Sequence, residues 1–250
     1  MYGANLLQLQ HLGYAYACGA EAVSDVSLDI APGALYCLIG RSGCGKTSLL
    51  KLAAGLLLPL RGCVLWCDKP VMGPNPNMGF VFQHPTLLDW LSATDNVLLP
   101  LSLQRKVQTP DRDKAMQVLA RMGLGAHLHH KPPQLSGGQQ SRVAIARALI
   151  RDPQILFMDE PFAALDAMTR EELQRDLLDL CTQQGTSVLF VTHDIAEAVY
   201  LGDHVAVMHQ GQIVGTLSID LPRPRQNAMR YDPDFNALCA QLRQTMDAGL

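Results

Sequence analysis

The eight residues Gly40-Arg41-Ser42-Gly43-Cys44-Gly45-Lys46-Thr47 constrain this chain more than any others. They fit G-x-x-x-x-G-K-[ST], in which glycines let the backbone curl until several N–H groups converge on one anion. Residues 34–39 (ALYCLI), just before, form a short apolar run that reads as a buried strand. Residues 48–58 (SLLKLAAGLLL), just after, are apolar and rich in helix formers, so they predict a helix. Strand, glycine loop and helix thus arrive in the order a phosphate site needs, and the helix N-terminus adds its partial positive charge. Ser48 opens that helix within reach of the same anion. In this setting Lys46 reaches the β- and γ-phosphates and the Thr47 hydroxyl ligates Mg²⁺. The alternative is a glycine-rich turn with no ligand, and the flanking elements argue against it.

The chain has 250 residues, enough for one large domain or one with an inserted subdomain; 48% are hydrophobic and 17% charged, which suits a substantial core. A net charge of −3 gives no support to a dedicated nucleic-acid binder. No apolar run reaches the length of a bilayer span, and residues 1–5 have no charged or apolar leader pattern, so no signal peptide is expected. Seven scattered cysteines, Cys18 among them, are expected as free thiols in a reducing cytosol. Cys63 and Cys67 form a C-x₃-C pair without a second pair at zinc-site spacing, so no metal is expected there. His127, His129 and His130 are expected in a solvated turn.

Residues 6–12 and 26–30 alternate apolar with polar and predict half-buried strands, and residues 78–82 (MGFVF) predict a buried one. From 85 to 150 the pattern is mostly helical, with helices over 114–122 and 136–150 separated by the breaker Lys131-Pro132-Pro133. Then strand and helix alternate again: strands at 155–159 and 187–191, helices at 167–184 and 195–201, and a hairpin over 204–217 about Gln210-Gly211. Residues 221–225 (LPRPR) read as an extended linker before a helix over 234–246. The fold class implied is α/β: a nucleotide-triphosphatase core on a largely parallel sheet, an antiparallel β part and an inserted helical subdomain. The expected organisation is a discontinuous core, 1–84 with 151–220, a helical subdomain, 85–150, and a short tail, 221–250.

Asp159 and Glu160 end the strand ILFMD, where ligands bind in open α/β sheets. Asp159 suits Mg²⁺ and Glu160 suits the attacking water. Leu135-Ser136-Gly137-Gly138-Gln139 forms a second anion-binding helix start, with breakers just before it.

Together these motifs, in this order over roughly residues 6–217, resemble the ATP-binding cassette family. The resemblance implies an ATPase that uses ATP and Mg²⁺ and works as a head-to-tail homodimer. Two ATP molecules are sandwiched, with Lys46 of one copy facing Ser136, Gly137, Gly138 and Gln139 of the other. It also implies that Gln83 senses Mg²⁺ and the γ-phosphate, that His193 in VTHD contacts the γ-phosphate, and that Asp166 lies in the interface-crossing loop Ala164-Leu165-Asp166. Tyr16, with Tyr14 as its rival, is the aromatic expected to stack on adenine. Ala163 and Ser141 depart from the common pattern without removing a group the chemistry needs. Residues 85–91 and 96–97, after Gln83, match the region that receives a coupling helix of a membrane subunit. The tail LPRPR with Tyr231-Asp232-Pro233 looks like the nitrate, sulfonate and taurine branch of importers, which includes thiamine-precursor importers. The implied role is therefore a peripheral ATPase subunit on the cytoplasmic face of the inner membrane, with integral membrane permease subunits and, indirectly, a solute-binding protein as partners. An exporter or lipoprotein-release cassette and a soluble cassette acting on nucleic acid or ribosomes are the alternatives. Cys44, inside the phosphate loop, is expected to react with alkylating agents, with loss of activity and protection by MgATP.

Overall fold

The computed structural model describes residues 5–17 and 19–248; the expected free thiol of Cys18 and residues 1–4 of the N-terminal stretch lie outside them. Two sheets form the frame. Strands β1 (Leu7–Ala15), β2 (Glu21–Ile30), β4 (Arg61–Trp66) and β5 (Lys69–Pro70) make an antiparallel sheet in the order β2-β1-β4-β5. Strands β3 (Leu35–Ile39), β6 (Met78–Val81), β7 (Ile155–Asp159), β8 (Ser187–Thr192), β9 (His204–His209) and β10 (Gln212–Ser218) make a six-stranded sheet, β10-β9-β3-β8-β7-β6. It is parallel except for the β9–β10 hairpin.

Alternation along the buried strands sends side chains to two separate cores. Leu35, Cys37, Ile39, Leu156, Met158, Val188 and Phe190 face one core. There they meet α2 (Ala93–Ser102), α3 (Thr109–Arg121), α4 (Gly137–Leu149), α5 (Ala167–Gln184), α6 (Ile195–Leu201) and α7 (Pro233–Ala248). Leu38, Ile155, Phe157, Leu189 and Val191 face the other, against α1 (Lys46–Ala53) and the antiparallel sheet. Continuous apolar runs such as VLFV and ILFM therefore serve both faces of one sheet.

Several boundaries differ from those the sequence predicts. The helix after the glycine loop begins at Lys46 and ends at Ala53, not over 48–58. Gly55 takes φ 70°, and a Cβ there would lie 2.5 Å from the Gly73 carbonyl oxygen, so the chain turns out of the helix. Strands β4 and β5 were not foreseen. Within 85–150 the first eight residues are loop, and the double proline forms a single 3₁₀ turn, Pro132–Gln134. The tail is no passive linker: Arg225 is buried and its guanidinium donates to the carbonyls of Val199, Tyr200 and Gly202 at 3.1, 2.8 and 2.7 Å. A second 3₁₀ turn follows at Asn227–Tyr231.

Candidate functional site

Register builds the site. Ile39 in β3 pairs with Thr192 in β8, Val191 in β8 pairs with Asp159 in β7, and Met158 in β7 pairs with Val81 in β6. Four neighbouring parallel strands thus end at nearly one level. The residues that follow them are Gly40, His193, Glu160 and, two on from Val81, Gln83. A parallel sheet ends with its carboxyl edge open, and four loops converge on that edge.

The glycine loop curls there because its glycines permit it. Gly43 and Gly45 take φ 79° and 104°; a Cβ at Gly45 would lie 2.0 Å from the Ala22 carbonyl oxygen. Gly45 is the N-cap of α1, so the free amides of its first turn face the loop. The Lys46 amine folds back over the loop and donates to the carbonyls of Gly40 at 2.8 Å and Arg41 at 3.0 Å. The loop borders a cleft of about 440 Å³ lined by Tyr16, Ser42, Gly43, Gly45, Lys46, Thr47, Ser48, Gln83 and Glu160, with Ala20, Glu21 and Ala22 as further walls. Those three were missed by the sequence reading; nothing local marks them, since β1 and β2 bring them there.

Tyr16 is exposed at the cleft with its hydroxyl 2.8 Å from Ser48 Oγ, whereas Tyr14 packs edge-on against it, centroids 5.1 Å apart, beside the core. Thr47 Oγ1 donates to Asp159 Oδ1 at 2.9 Å. Asp159 is buried, and this desolvation raises its pKa despite the Thr47 hydrogen bond. Glu160 turns at φ 44°, an uncommon conformation for a side-chain-bearing residue, and places Oε2 2.9 Å from His193 Nδ1. Glu160 therefore borders both the cleft and a small cavity it shares with His193, Arg170 and Asp194.

Other expected site residues lie elsewhere. Ser136 is the N-cap of α4: its Oγ accepts from Gln139 N at 3.3 Å and Gln139 Oε1 accepts from Ser136 N at 2.9 Å, a capping box. Ser136, Gly137, Gly138 and Gln139 do not line the cleft. Gly138 packs on α5, where a Cβ would meet Thr169 Cγ2 at 2.5 Å. Asp166 caps α5 by accepting from Thr169 N at 3.0 Å, a bond that lowers its pKa. Arg41 is exposed at the loop's edge, while Cys44 is buried beneath it among the apolar residues of the second core. The expectation of a reactive Cys44 is corrected accordingly: an enclosed thiol presents little surface to an alkylating agent. His127 and His130 are not simply solvated; their Nδ1 atoms lie 2.8 Å apart and His127 Nε2 lies 3.2 Å from Gln139 Nε2.

A glycine cradle of amides, a lysine, a hydroxyl–carboxylate pair and a carboxylate beside a histidine make a site for binding and hydrolysing a nucleoside triphosphate. The comparisons agree. The family model described as "ABC transporter" matches residues 23–163. The taurine import ATP-binding protein of Yersinia pestis is 42% identical over 226 residues, covering 88% of this chain and 89% of that protein. The nitrate import ATP-binding protein of Synechococcus elongatus is 42% identical over 228 residues, covering 89% and 82%. The ATP-binding cassette MJ0796, solved as a dimer in a post-hydrolysis state with ADP and Pi, superposes with a TM-score of 0.77 at 32% identity, covering 86% of this chain and all of that one. This chain belongs to the ABC transporter family, as an ATP-binding ATPase.

Proposed function

We propose that the protein is the ATPase subunit of an importer and acts as a head-to-tail homodimer whose two nucleotide sites are each completed by the partner copy. One observation carries this reading. The glycine loop and Glu160 line one cleft of the chain, while the exposed helix start at Ser136, a second anion-binding feature, lies outside it. A second copy turned head to tail would bring its Ser136, Gly137, Gly138 and Gln139 to the γ-phosphate.

Within each site, Tyr16 stacks on the adenine, and the loop amides from Arg41 to Ser48, with Lys46, neutralise the phosphates. The hydroxyl of Thr47 and the buried carboxylate of Asp159 are hard oxygen donors at 2.9 Å, a pair that fits Mg²⁺, with Gln83 at the cleft as a further ligand. Mg²⁺ held there would supply positive charge against the negative charge of the triphosphate. Glu160 polarises the attacking water, and His193 holds Glu160 and the γ-phosphate in line. Asp166 lines the contact between the two copies.

No helix among the described residues is long and apolar enough to cross a membrane; in this reading separate membrane subunits form the transport pathway. Phe82, just before Gln83, and Trp90, on the loop after it, are 40% and 70% exposed and offer apolar side chains to a coupling helix of such a subunit. The relatives named for taurine and nitrate import support a small solute of the nitrate, sulfonate or taurine kind. A thiamine precursor as the related alternative, delivery by a solute-binding protein and a position on the cytoplasmic face of the inner membrane complete the proposal. Co-purification with the membrane subunits tests this: recovery of importer subunits with solute-stimulated ATPase is expected, and recovery of an exporter's subunits would overturn it.

A further inference from the structure

A line of hydrogen bonds runs from the C-terminal tail to the loop that carries His193. Arg230, in the 3₁₀ turn Asn227–Tyr231, donates to Gln174 Oε1. Gln174 in α5 is only 1% exposed, and its Nε2 donates to Glu197 Oε1 at 2.7 Å. The other oxygen of Glu197 accepts from the Thr192 hydroxyl. Thr192 Oγ1 in turn accepts from the Asp194 amide at 3.0 Å, and Asp194 Oδ1 accepts from the Glu197 amide at 3.2 Å. Thr192, just before His193, is thus bonded to the buried Glu197 carboxylate, and Asp194, just after it, is bonded to Thr192 Oγ1 and to the Glu197 amide.

The direction of every bond is set by chemistry at the two ends. A guanidinium only donates and a carboxylate only accepts. Gln174 must therefore turn its oxygen to Arg230 and its amide nitrogen to Glu197. Without Arg230 the buried Gln174 oxygen loses its donor, so Gln174 is held by Glu197 alone and its grip on that carboxylate, and through it on Thr192, loosens. Arg230 is itself fixed, with its guanidinium carbon 3.9 Å from the centroid of the Tyr200 ring.

We propose that Arg230 is a positioning residue for ATP hydrolysis: acting through Gln174 and Glu197, it holds the His193 loop where His193 meets Glu160. The proposal rests on the reading that His193 and Glu160 act on ATP. A tail that only covers α5 and α6 would affect stability alone.

The test uses the full chain with Arg230→Met, which keeps an unbranched side chain beside Tyr200 and removes the donor, and Arg230→Lys, which keeps a donor. For each, kcat, KM for MgATP and Tm are measured. We expect Arg230→Met to lower kcat about tenfold with KM changed less than about twofold, and Arg230→Lys to recover most of the loss. Thr192→Val removes the hydroxyl at the far end, and combining it with Arg230→Met should fall well short of the product of the two single effects. Should Arg230→Met fail to fold, the near-isosteric Gln174→Met breaks the same link and carries the same expectation. A normal kcat in the folded variant, a raised KM with kcat unchanged, or fully multiplicative effects would overturn the proposal. His193→Ala separates the two levels: if it keeps full activity, the reading of the site fails; if it is inactive while Arg230→Met is normal, only the positioning role fails.

Discussion

Single residues at the site are held by geometry that tolerates little change. At Gly45 a methyl group would meet the Ala22 carbonyl oxygen, and φ 104° disfavours any side chain. Gly45→Ala should lose measurable ATP binding and about 2–4 kcal/mol of stability; thermal melting with nucleotide titration checks this, and normal affinity would contradict it. Asp159 works in the opposite sense. Burial raises its pKa, so its contribution to stability is greatest below the ordinary carboxylate range and is lost as pH rises through the raised value. At neutral pH its charge therefore opposes folding. Asp159→Asn keeps an acceptor for Thr47, and should raise Tm by about 2–4 °C near pH 7 while abolishing ATPase activity. The gain should vanish in acid, where the native carboxyl is protonated. A Tm gain that grows in acid would be inconsistent with this assignment. Cys44 is enclosed, and slow alkylation of the native protein is the expected outcome.

Elements are joined at the site by a few polar anchors. Asn96 in α2 is fully buried: its Nδ2 donates to the carbonyls of Leu88, Leu91 and Ser92, and its Oδ1 accepts from Leu88 N at 2.8 Å. Arg147 in α4 donates to the carbonyls of Pro85 and Thr86, both at 2.8 Å. Arg147 holds the start of the loop after Gln83 and Asn96 holds its end. Asn96→Ala leaves several buried groups unpaired, so a loss of about 2–4 kcal/mol is expected, along with faster hydrogen exchange over 86–92; unchanged exchange would contradict that hold. These anchors mark the limit of what the sequence conveys. Strands with strong apolar runs and helices with glycine stops, such as α5 ending at Gly185 with φ 64°, could be read directly. The loop at Gly40–Thr47 could be read because its function demands a local conformation that only certain residues adopt. Strand β4 could not, because RGCVLW adjoins the apolar run after α1 and alternates too weakly. The chain Arg230–Gln174–Glu197–Thr192 was also invisible, since its members lie up to 56 residues apart with no local pattern.

At the scale of the molecule, the proposed function gives different tasks to two sets of exposed residues. The cleft and the exposed Ser136 helix start serve the proposed contact between two copies. The exposed Phe82 and Trp90 serve the proposed contact with a membrane subunit. Trp90→Ala should leave the ATPase activity of the isolated protein within about twofold of wild type, because a solvated surface side chain contributes little to the fold. It should weaken co-purification with the membrane subunits at least tenfold, as loss of an aromatic anchor does. Equal recovery would remove Trp90 from that interface. The central claim is that neither copy completes a hydrolytic site alone. It is tested most directly by ATPase activity measured against protein concentration, with Glu160→Gln beside the wild type. The account predicts specific activity that rises with concentration, and a Glu160→Gln variant that accumulates as an ATP-bound dimer on size-exclusion chromatography. Constant specific activity from a monomer, with Glu160→Gln monomeric in ATP, would contradict it.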